Sequence, residues 1–325
     1  MLLRILSAAD LRRVLPMTAA IAAMRTAFAE VAAGTAQVPL RTVLSTPHGL
    51  SLFMPGYLAQ SQGLAQKVVS VYNDNPARGL PAITGLVIVL DPLTGLPRGL
   101  MDGGTLTAIR TGAAAGLATD LLARPESRVL ALFGAGGMAY DQVQAVAAVR
   151  PLTAIRIVSR HGESARRLAA RLQAEGLPAR AVEEPAAAVR GADIVSCITP
   201  SRTPLFADAD IAPGTHLNLS GAYTPEMVEA PAATIARSRV FVDQVEACMA
   251  EAGDVLQPLA AGLITADHFR TTLGDVILGR APGRRTATEI TVFKSVGLAA
   301  QDVAAACTAL ARAEAEDIGT LVELL

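Results

Sequence analysis

A glycine-rich turn between a strand and a helix constrains this chain more than any other feature. The strand-like run Arg128–Phe133 leads into Gly-Ala-Gly-Gly-Met-Ala at positions 134–139, where the helical pattern Met138–Val149 begins. The pattern Gly-x-Gly-x-x-Ala is a weak signal alone. A preceding strand and a following helix are the context in which such a turn binds the pyrophosphate of a dinucleotide.

Each position of this turn has a physical reason. The first glycine permits a tight turn, the second lets the backbone approach phosphate, and the small last residue lets helix and strand pack closely. The helix N-terminus adds free N–H donors and a partial positive charge. The predicted pyrophosphate-binding residues are Gly134, Ala135, Gly136, Gly137 and Met138.

The order of strands and helices predicts an α/β chain with two domains that meet near Pro125. After Pro125, strands alternate with helices, which predicts a Rossmann-type, doubly wound parallel sheet over 123–297. Before Leu122, short strands follow one another with tight turns, which predicts an α+β domain with a mostly antiparallel sheet. The strands expected there are Val38–Leu44, Leu50–Leu58, Ala65–Tyr72 and Thr84–Leu90, and the helices are those from about Ala8, Thr18–Ala33 and Thr105–Leu122. The end of the chain, Gly297–Leu325, has a helical pattern.

Composition excludes several classes of protein. The 28 basic side chains balance 29 acidic ones and Trp is absent, so nothing favours a nucleic-acid partner. We see no apolar run of about 18 residues, the length that crosses a membrane. The three cysteines are far apart, so we expect no disulfides and a cytoplasmic location. The histidines lack the spacing of metal ligands, so we expect no metal.

The end of the second strand of the alternating region bears on the choice of cofactor. An NAD-binding domain usually has an acid there for the ribose hydroxyls, but this chain reads Val158-Ser159-Arg160-His161. Ser159 and Arg160 can instead bind a 2′-phosphate, so we expect NADPH to be preferred and NADH to be possible. The alternative is that Arg160 is a solvated loop cation. Thr199 and Ser295 are further candidate cofactor contacts, and structural roles for both are open.

Three basic residues lie within apolar segments. Lys67 shares a strand face with Ala65 and Val69, Arg110 lies within the expected helix Thr105–Leu122, and Arg41 lies in the strand-like run Val38–Leu44. If the three converge, they form a site for a carboxylate. Each one taken singly is more often a surface side chain.

Four segments together resemble the ornithine cyclodeaminase/mu-crystallin family. They are Lys67-Val-Val-Ser-Val, Asn75-Pro-Ala-Arg-Gly-Leu-Pro81, Asp91-Pro-Leu-Thr-Gly95 and Leu106-Thr-Ala-Ile-Arg-Thr-Gly-Ala-Ala114. The turn 134–139 and the stretch 289–297 stand where the family has them. The resemblance implies a substrate-binding and dimerisation domain, 1–122 completed by about 298–325, and a homodimer that pairs the antiparallel sheets of two subunits.

The resemblance also implies a substrate class, namely amino acids and imines derived from 2-oxo acids. The matching residues imply that Arg41, Lys67 and Arg110 hold the substrate and that Thr84 and Val296 line its site. Ornithine cyclodeaminases have a catalytic aspartate in a turn that here reads Gly221-Ala-Tyr-Thr-Pro225, with Tyr223 in its place. A tyrosine, whose ordinary pKa is about 10, is a poor base at neutral pH.

We therefore expect an NAD(P)H-dependent reductase of Δ1-pyrroline-2-carboxylate or Δ1-piperideine-2-carboxylate that yields L-proline or L-pipecolate. In this hypothesis Lys67, Arg41 and Arg110 are the catalytic residues, and Tyr223 lies at the substrate. The alternatives are an ornithine cyclodeaminase, an oxidoreductase similar to alanine dehydrogenase, and a non-catalytic protein that binds NADPH and a small ligand.

Overall fold

The computed structural model describes residues 2–72 and 74–324, and it divides into two compact units. The first unit contains the chain up to Arg110 together with the segment from Leu298 onward, and the second is Thr111–Gly297. In chain order the strands are β1 (Leu2–Leu6), β2 (Ala36–Gln37), β3 (Thr42–Thr46), β4 (Gly49–Leu58), β5 (Gly63–Val71), β6 (Ile83–Leu90), β7 (Pro97–Asp102), β8 (Val129–Phe133), β9 (Ala154–Val158), β10 (Ala179–Ala181), β11 (Ile194–Cys197), β12 (His216–Leu219), β13 (Arg239–Val242), β14 (Thr291–Lys294) and β15 (Thr320–Glu323). The helices are α1 (Ala8–Val14), α2 (Met17–Ala33), α3 (Gly103–Leu122), α4 (Ala139–Val149), α5 (Gly162–Ala174), α6 (Pro185–Val189), α7 (Ala232–Ala236), α8 (Val245–Glu251), α9 (Gly253–Ala260), α10 (Leu273–Ile277) and α11 (Ala299–Ala315).

The first unit is built on a mixed, mostly antiparallel sheet, as the sequence predicts. Its strand order is β15-β1-β7-β6-β5-β4-β2, with β3 paired to β4. The strands β1 and β7 pair in parallel, and the other neighbours named here pair antiparallel. Residues directly opposite in antiparallel strands share a face. Met54, Lys67 and Val87 are opposite one another, so they lie on the same buried face, against which α11 packs.

Local signals set the ends of the first helices. Ser7 and Asp10 form a reciprocal capping box at the start of α1. Pro16 has no N–H to continue the helix and stands as the N-cap of α2. Gly34 ends α2 in the left-handed conformation, which costs glycine little.

The second unit is built on a seven-stranded, fully parallel sheet. Its order is β10-β9-β8-β11-β12-β14-β13. Counted from β8, successive strands first extend to one side and then to the other, so the order reverses between β8 and β11. In doubly wound sheets, ligands bind at the carboxyl ends of the strands at this point. The predicted Rossmann-type fold is therefore confirmed.

Two segment predictions were wrong. The run Val38–Leu44 is not one strand, because β2 ends before Pro39, which cannot donate to a ladder, and β3 begins at Thr42. Arg41 therefore lies in the connection between them. The last segment is not helical throughout, since α11 ends at Ala315 and β15 follows. The sequence reading also missed β1 and β7, which pair with strands remote in sequence.

In residues 2–72 and 74–324, no single helix is long and apolar enough to cross a membrane. The helices α1 and α2 reach the required length and composition only when taken together, and they are bent by 84° at the break between them.

Candidate active site

Lys67 and Asp302 form a buried ion pair in the first unit. Lys67 lies in the middle of β5 and Asp302 lies in the first turn of α11, and the side chains are 2% exposed. The Lys67 Nζ atom lies 2.7 Å from Asp302 Oδ2. A buried ammonium group is tolerated only when it is paired, and this carboxylate provides the partner.

Arg110 shares the same carboxylate. Its Nε donates to Asp302 Oδ1 at 2.9 Å, and its Nη1 donates to Gln301 Oε1 at 2.9 Å. Arg110 lies on α3, is buried, and belongs with Lys67 and Asp302 to the first unit. One carboxylate thus serves two cations, so the cluster carries excess positive charge.

Burial and the neighbouring charges together bring the pKa of Lys67 closer to neutral pH. Burial lowers the pKa of Lys67 from 10.5 to about 8, Asp302 opposes the shift, and the guanidinium groups of Arg110 and Arg41 add to it. Arg41 is half-buried between β2 and β3, close enough to act on Lys67. We call Arg41, Lys67 and Arg110 the cation cluster. A lysine with this pKa can exchange a proton at neutral pH.

Thr84 lies on the other side of the sheet from this lysine. It is opposite Ser70 in the β5–β6 ladder, whereas Lys67 is opposite Val87, and three residues along a strand reverse the face. Thr84 is exposed. The first unit therefore brings Arg41, Lys67 and Arg110 together, and Thr84 stays a weaker prediction.

In the second unit, the glycine turn has the shape that a dinucleotide requires. Gly134 follows β8 with φ +106°, and a Cβ there would lie 2.6 Å from the carbonyl oxygen of Ile198. A Cβ at Gly136 or Gly137 would meet no atom within 4 Å, so the turn is open above both. The helix α4 begins directly afterward at Ala139. The residues present fit a bound pyrophosphate at this helix N-terminus.

Ser159 and Arg160 follow β9, the strand beside β8. The Ser159 hydroxyl donates to the carbonyl oxygen of His161 at 2.6 Å, and Arg160 is exposed. No carboxylate ends β9. The position is the one that contacts the adenosine ribose in such sheets.

A buried acid joins the loops that follow β11 and β12. Glu229 Oε1 accepts hydrogen bonds from the Thr199 N–H at 2.7 Å and hydroxyl at 3.0 Å, and Glu229 Oε2 accepts from the N–H of Gly221 at 2.8 Å. Tyr223, half-buried, follows in the second of these loops. Thr199 therefore has a structural partner, and its side chain is held at the carboxyl edge of the sheet.

Two more carboxylates brace the same edge. Asp254 Oδ2 accepts from Lys294 Nζ at 2.8 Å, and the lysine also donates to the carbonyl oxygen of Ala222 at 2.6 Å. Asp243 Oδ2 accepts from the Ser295 hydroxyl at 2.8 Å and from the Val296 N–H at 2.9 Å. Ser295 and Val296 are thus held in place by a side chain that the sequence reading did not select.

Sequence comparison places the chain in a family. A sequence model of the ornithine cyclodeaminase/mu-crystallin family matches residues 3–317. The chain belongs to this family. The resemblance carried by the four segments is therefore confirmed over nearly the whole length.

Individual relatives of this family member are similar from end to end. A Δ1-pyrroline-2-carboxylate reductase of Bacillus cereus is 35% identical over 323 residues, 98% of this chain and 99% of the relative. The structure of the Thermococcus litoralis Δ1-pyrroline-2-carboxylate reductase in complex with NADH and L-proline has a TM-score of 0.93 and 36% identity, covering 98% of this chain and 99% of that one. An archaeal alanine dehydrogenase dimer with bound NAD has a TM-score of 0.94 and 31% identity, with 100% of both chains covered.

Sequence reasoning missed the acidic half of both sites in this family member. It selected cations, glycines and hydroxyl side chains but not Asp302, Glu229 or Asp243, and it noted Asp254 only within the stretch Glu251-Ala-Gly-Asp254, which resembles the imine-reducing branch of the family. For Asp302 a signal was present, because an acid in the first turn of an alanine-rich, buried helix needs a partner. Its partners lie 235 and 192 residues earlier in the chain, and periodicity cannot reveal contacts at that distance.

Proposed function

We infer that the protein is an NAD(P)H-dependent reductase of Δ1-pyrroline-2-carboxylate or Δ1-piperideine-2-carboxylate, which it converts to L-proline or L-pipecolate. The observation that carries the proposal is the cation cluster, in which Lys67 and Arg110 share one buried carboxylate. The remaining positive charge suits a substrate carboxylate. Relatives that share the whole length of the chain bear the name of this reductase.

Each residue of the cluster has a role in the proposed reaction. Arg110 and Arg41 bind the substrate carboxylate, and an arginine can do so through two parallel N–H donors. Lys67 gives a proton to the imine nitrogen, which makes the adjacent carbon electrophilic. The bound dinucleotide supplies the hydride that this carbon accepts. The C=N double bond becomes a CH–NH single bond, and the neutral lysine regains its proton from solvent.

The first unit is proposed as the substrate-binding and dimerisation domain and the second as the dinucleotide-binding domain. The outward face of the first unit's sheet exposes Leu44, Leu86 and Ile88, an apolar surface typical of an interface. The archaeal relative is a dimer, which supports a homodimer here. We propose the cytoplasm as its compartment, since Cys197, Cys248 and Cys307 are free thiols.

We propose NADPH as the preferred cofactor, with NADH accepted. The support is the absence of an acid at the end of β9 and the exposed Arg160 beside Ser159. The relatives named above hold NADH and NAD, so the preference depends on these local residues. Arg160→Ala is expected to raise the KM for NADPH about 10-fold and to leave that for NADH within about 2-fold, since one charged contact contributes about 1.5–3 kcal/mol. Equal changes for both cofactors would refute this role.

An open-chain imine is the second candidate substrate. The archaeal alanine dehydrogenase is as similar in structure as the pyrroline-carboxylate reductase is, and a carboxylate-binding cluster does not by itself select a ring. Ornithine cyclodeaminase activity is less favoured, because Tyr223 stands in place of the aspartate expected from the family resemblance.

The deciding experiment measures oxidation of NADPH and NADH with three imine sources. These are Δ1-pyrroline-2-carboxylate, Δ1-piperideine-2-carboxylate, and pyruvate with ammonia. Ornithine with NAD and ammonia detection is run beside them. A kcat/KM for a cyclic imine at least about 100-fold above that for pyruvate supports the proposal. Turnover of pyruvate or release of ammonia from ornithine, without reduction of cyclic imines, would replace it.

A further inference from the structure

The first turn of α11 places two buried polar side chains against the cation cluster. Asp302 contacts both Lys67 and Arg110, and the neighbouring Gln301 contacts Arg110 through a separate nitrogen. These residues lie in the first unit, on a helix that packs on the sheet carrying Lys67. In the proposed imine reduction, neither Asp302 nor Gln301 contacts the substrate or transfers a proton.

The hydrogen bonds fix the plane of the Arg110 guanidinium group. Nε donates to Asp302 and Nη1 donates to Gln301, and two contacts at different nitrogens of a planar group define its orientation. The orientation of the Gln301 amide is itself fixed, because its oxygen also accepts the Leu298 N–H at 3.1 Å. Within the described residues Arg110 Nη2 has no hydrogen-bond partner, so it can donate to a ligand.

The same carboxylate also directs the lysine. Lys67 Nζ lies 2.7 Å from Asp302 Oδ2 as an ion pair, which draws the ammonium group to one side. An ammonium group has three N–H donors, so it can still donate to a substrate. Asp302 itself cannot bind an anionic substrate directly, since like charges repel. Its oxygens already face the two cations.

We propose that Asp302 is a positioning residue for the imine reduction, which holds the Lys67 ammonium group and the Arg110 guanidinium group in their working orientations from a single point on α11. Gln301 is its partner on the arginine side. The proposal concerns how the cation cluster of the proposed function is assembled, and it rests on that function for its kinetic part only.

Removal of the Asp302 charge has a defined effect on proton transfer. In the part of the chain that the structure describes, the groups that act on Lys67 are Asp302 from α11, Arg110 from α3 and Arg41 from the β2–β3 connection. Of these three, Asp302 favours the protonated lysine. Without its charge, burial and the two arginines act unopposed, and the pKa of Lys67 falls below about 8. A nearby opposite charge is worth about 1–3 pKa units.

The experiment uses an unusual property of this sequence, which contains two lysines, Lys67 and Lys294. Protein labelled with 13C at the lysine Cε carbon gives one side-chain signal for each, and Lys67→Arg assigns them by elimination. The Cε shift is followed from pH 6 to 11 in the wild type and in Asp302→Asn. We expect the midpoint for Lys67 to fall by at least one pH unit in the variant.

Two further variants separate positioning from loss of structure. Asp302→Glu keeps the charge but displaces it by one methylene, so the Lys67 midpoint should stay within about half a unit of the wild type while kcat/KM falls at least about 10-fold. Asp254→Asn removes the equivalent acid from the other buried lysine. It should change the Lys294 signal and leave the Lys67 midpoint in place.

Kinetics supply the second readout. Because reduction needs the protonated lysine, its rate falls as the pH rises through the Lys67 pKa, and Asp302→Asn should move this fall at least one unit toward acid. Oxidation of the amino acid needs the neutral lysine, so its rate increases as the pH rises through the Lys67 pKa. Asp302→Asn should move this increase toward acid by the same amount. An unshifted Lys67 midpoint in Asp302→Asn overturns the proposal. If the wild type reduces no imine, the proposed function fails, and the NMR titration still decides the role of Asp302.

Discussion

The two lysines of this chain form buried ion pairs of nearly equal length in opposite electrostatic surroundings. Lys67 lies 2.7 Å from Asp302 in the first unit, and Lys294 lies 2.8 Å from Asp254 in the second. The remaining charges near Lys67 are Arg110 and Arg41. Near Lys294, the charged group besides Asp254 is the carboxylate of Glu229.

The surroundings decide what each lysine can do. Burial lowers the pKa of both, but the carboxylates of Asp254 and Glu229 outweigh it and hold the pKa of Lys294 above its usual value. For Lys67 the arginines add to the effect of burial, and its pKa falls to about 8. Lys294 is thus a permanently charged brace for the loop at Ala222, whereas Lys67 can exchange its proton. Each lysine pairs directly with an aspartate. The difference in their ability to exchange a proton therefore comes from the next charged groups, which are arginines near Lys67 and Glu229 near Lys294.

The largest effect expected from this contrast is on turnover. Lys67→Met removes the proton donor and should lower kcat for imine reduction about 10²–10⁴-fold, the usual contribution of a general acid. The dissociation constant for NADPH, measured by fluorescence titration, should stay within about 2-fold. Retained turnover would exclude Lys67 as the donor, and a comparable loss of cofactor binding would show that the substitution had disturbed the second unit instead.

The second effect reverses the contrast and concerns stability. Lys294→Met leaves Asp254 buried without a cation and should lower the free energy of unfolding by about 3–5 kcal/mol. Lys67→Met should change it by less than about 1 kcal/mol, because Asp302 keeps Arg110 as a partner and the repulsion between Lys67 and Arg110 is relieved. Urea unfolding of both variants measures the difference. Equal decreases in the free energy of unfolding would mean that the two ion pairs contribute equally to stability.

The same contrast explains what could be read from the sequence. The turn at Gly134 and the alternation after Pro125 predict the parallel sheet, since both are local patterns that a strand and a helix impose on their own residues. Lys67 and Arg110 stood out because a charge in an apolar element is unusual. Asp302, the carboxylate that both cations share, did not stand out, because α11 and β5 are remote in the sequence and meet only in the folded chain. For the same reason β1 and β15 were missed.

The smallest effect concerns Glu229, the acid beside Lys294. Burial raises the pKa of Glu229 from 4.5 to about 7, with Lys294 acting in the opposite direction. A carboxyl group whose pKa is raised in the folded state binds its proton more tightly there, so its contribution to stability is complete below about pH 4.5 and is lost as the pH rises to about 7. The loss is on the order of 1–3 kcal/mol.

A buried histidine in the same unit would hide this loss in a single measurement. Burial lowers the pKa of His216 from 6.5 to about 3, so its contribution to stability increases between those values, against that of Glu229. Urea unfolding of wild type and Glu229→Gln should therefore be compared from pH 5 to 8, and the wild-type advantage should shrink as the pH rises. The histidine cancels in this difference because it is present in both proteins. If the advantage instead stays constant up to pH 8, Glu229 is ionised throughout, and the edge beside Lys294 is held by two fixed carboxylates rather than by one that titrates.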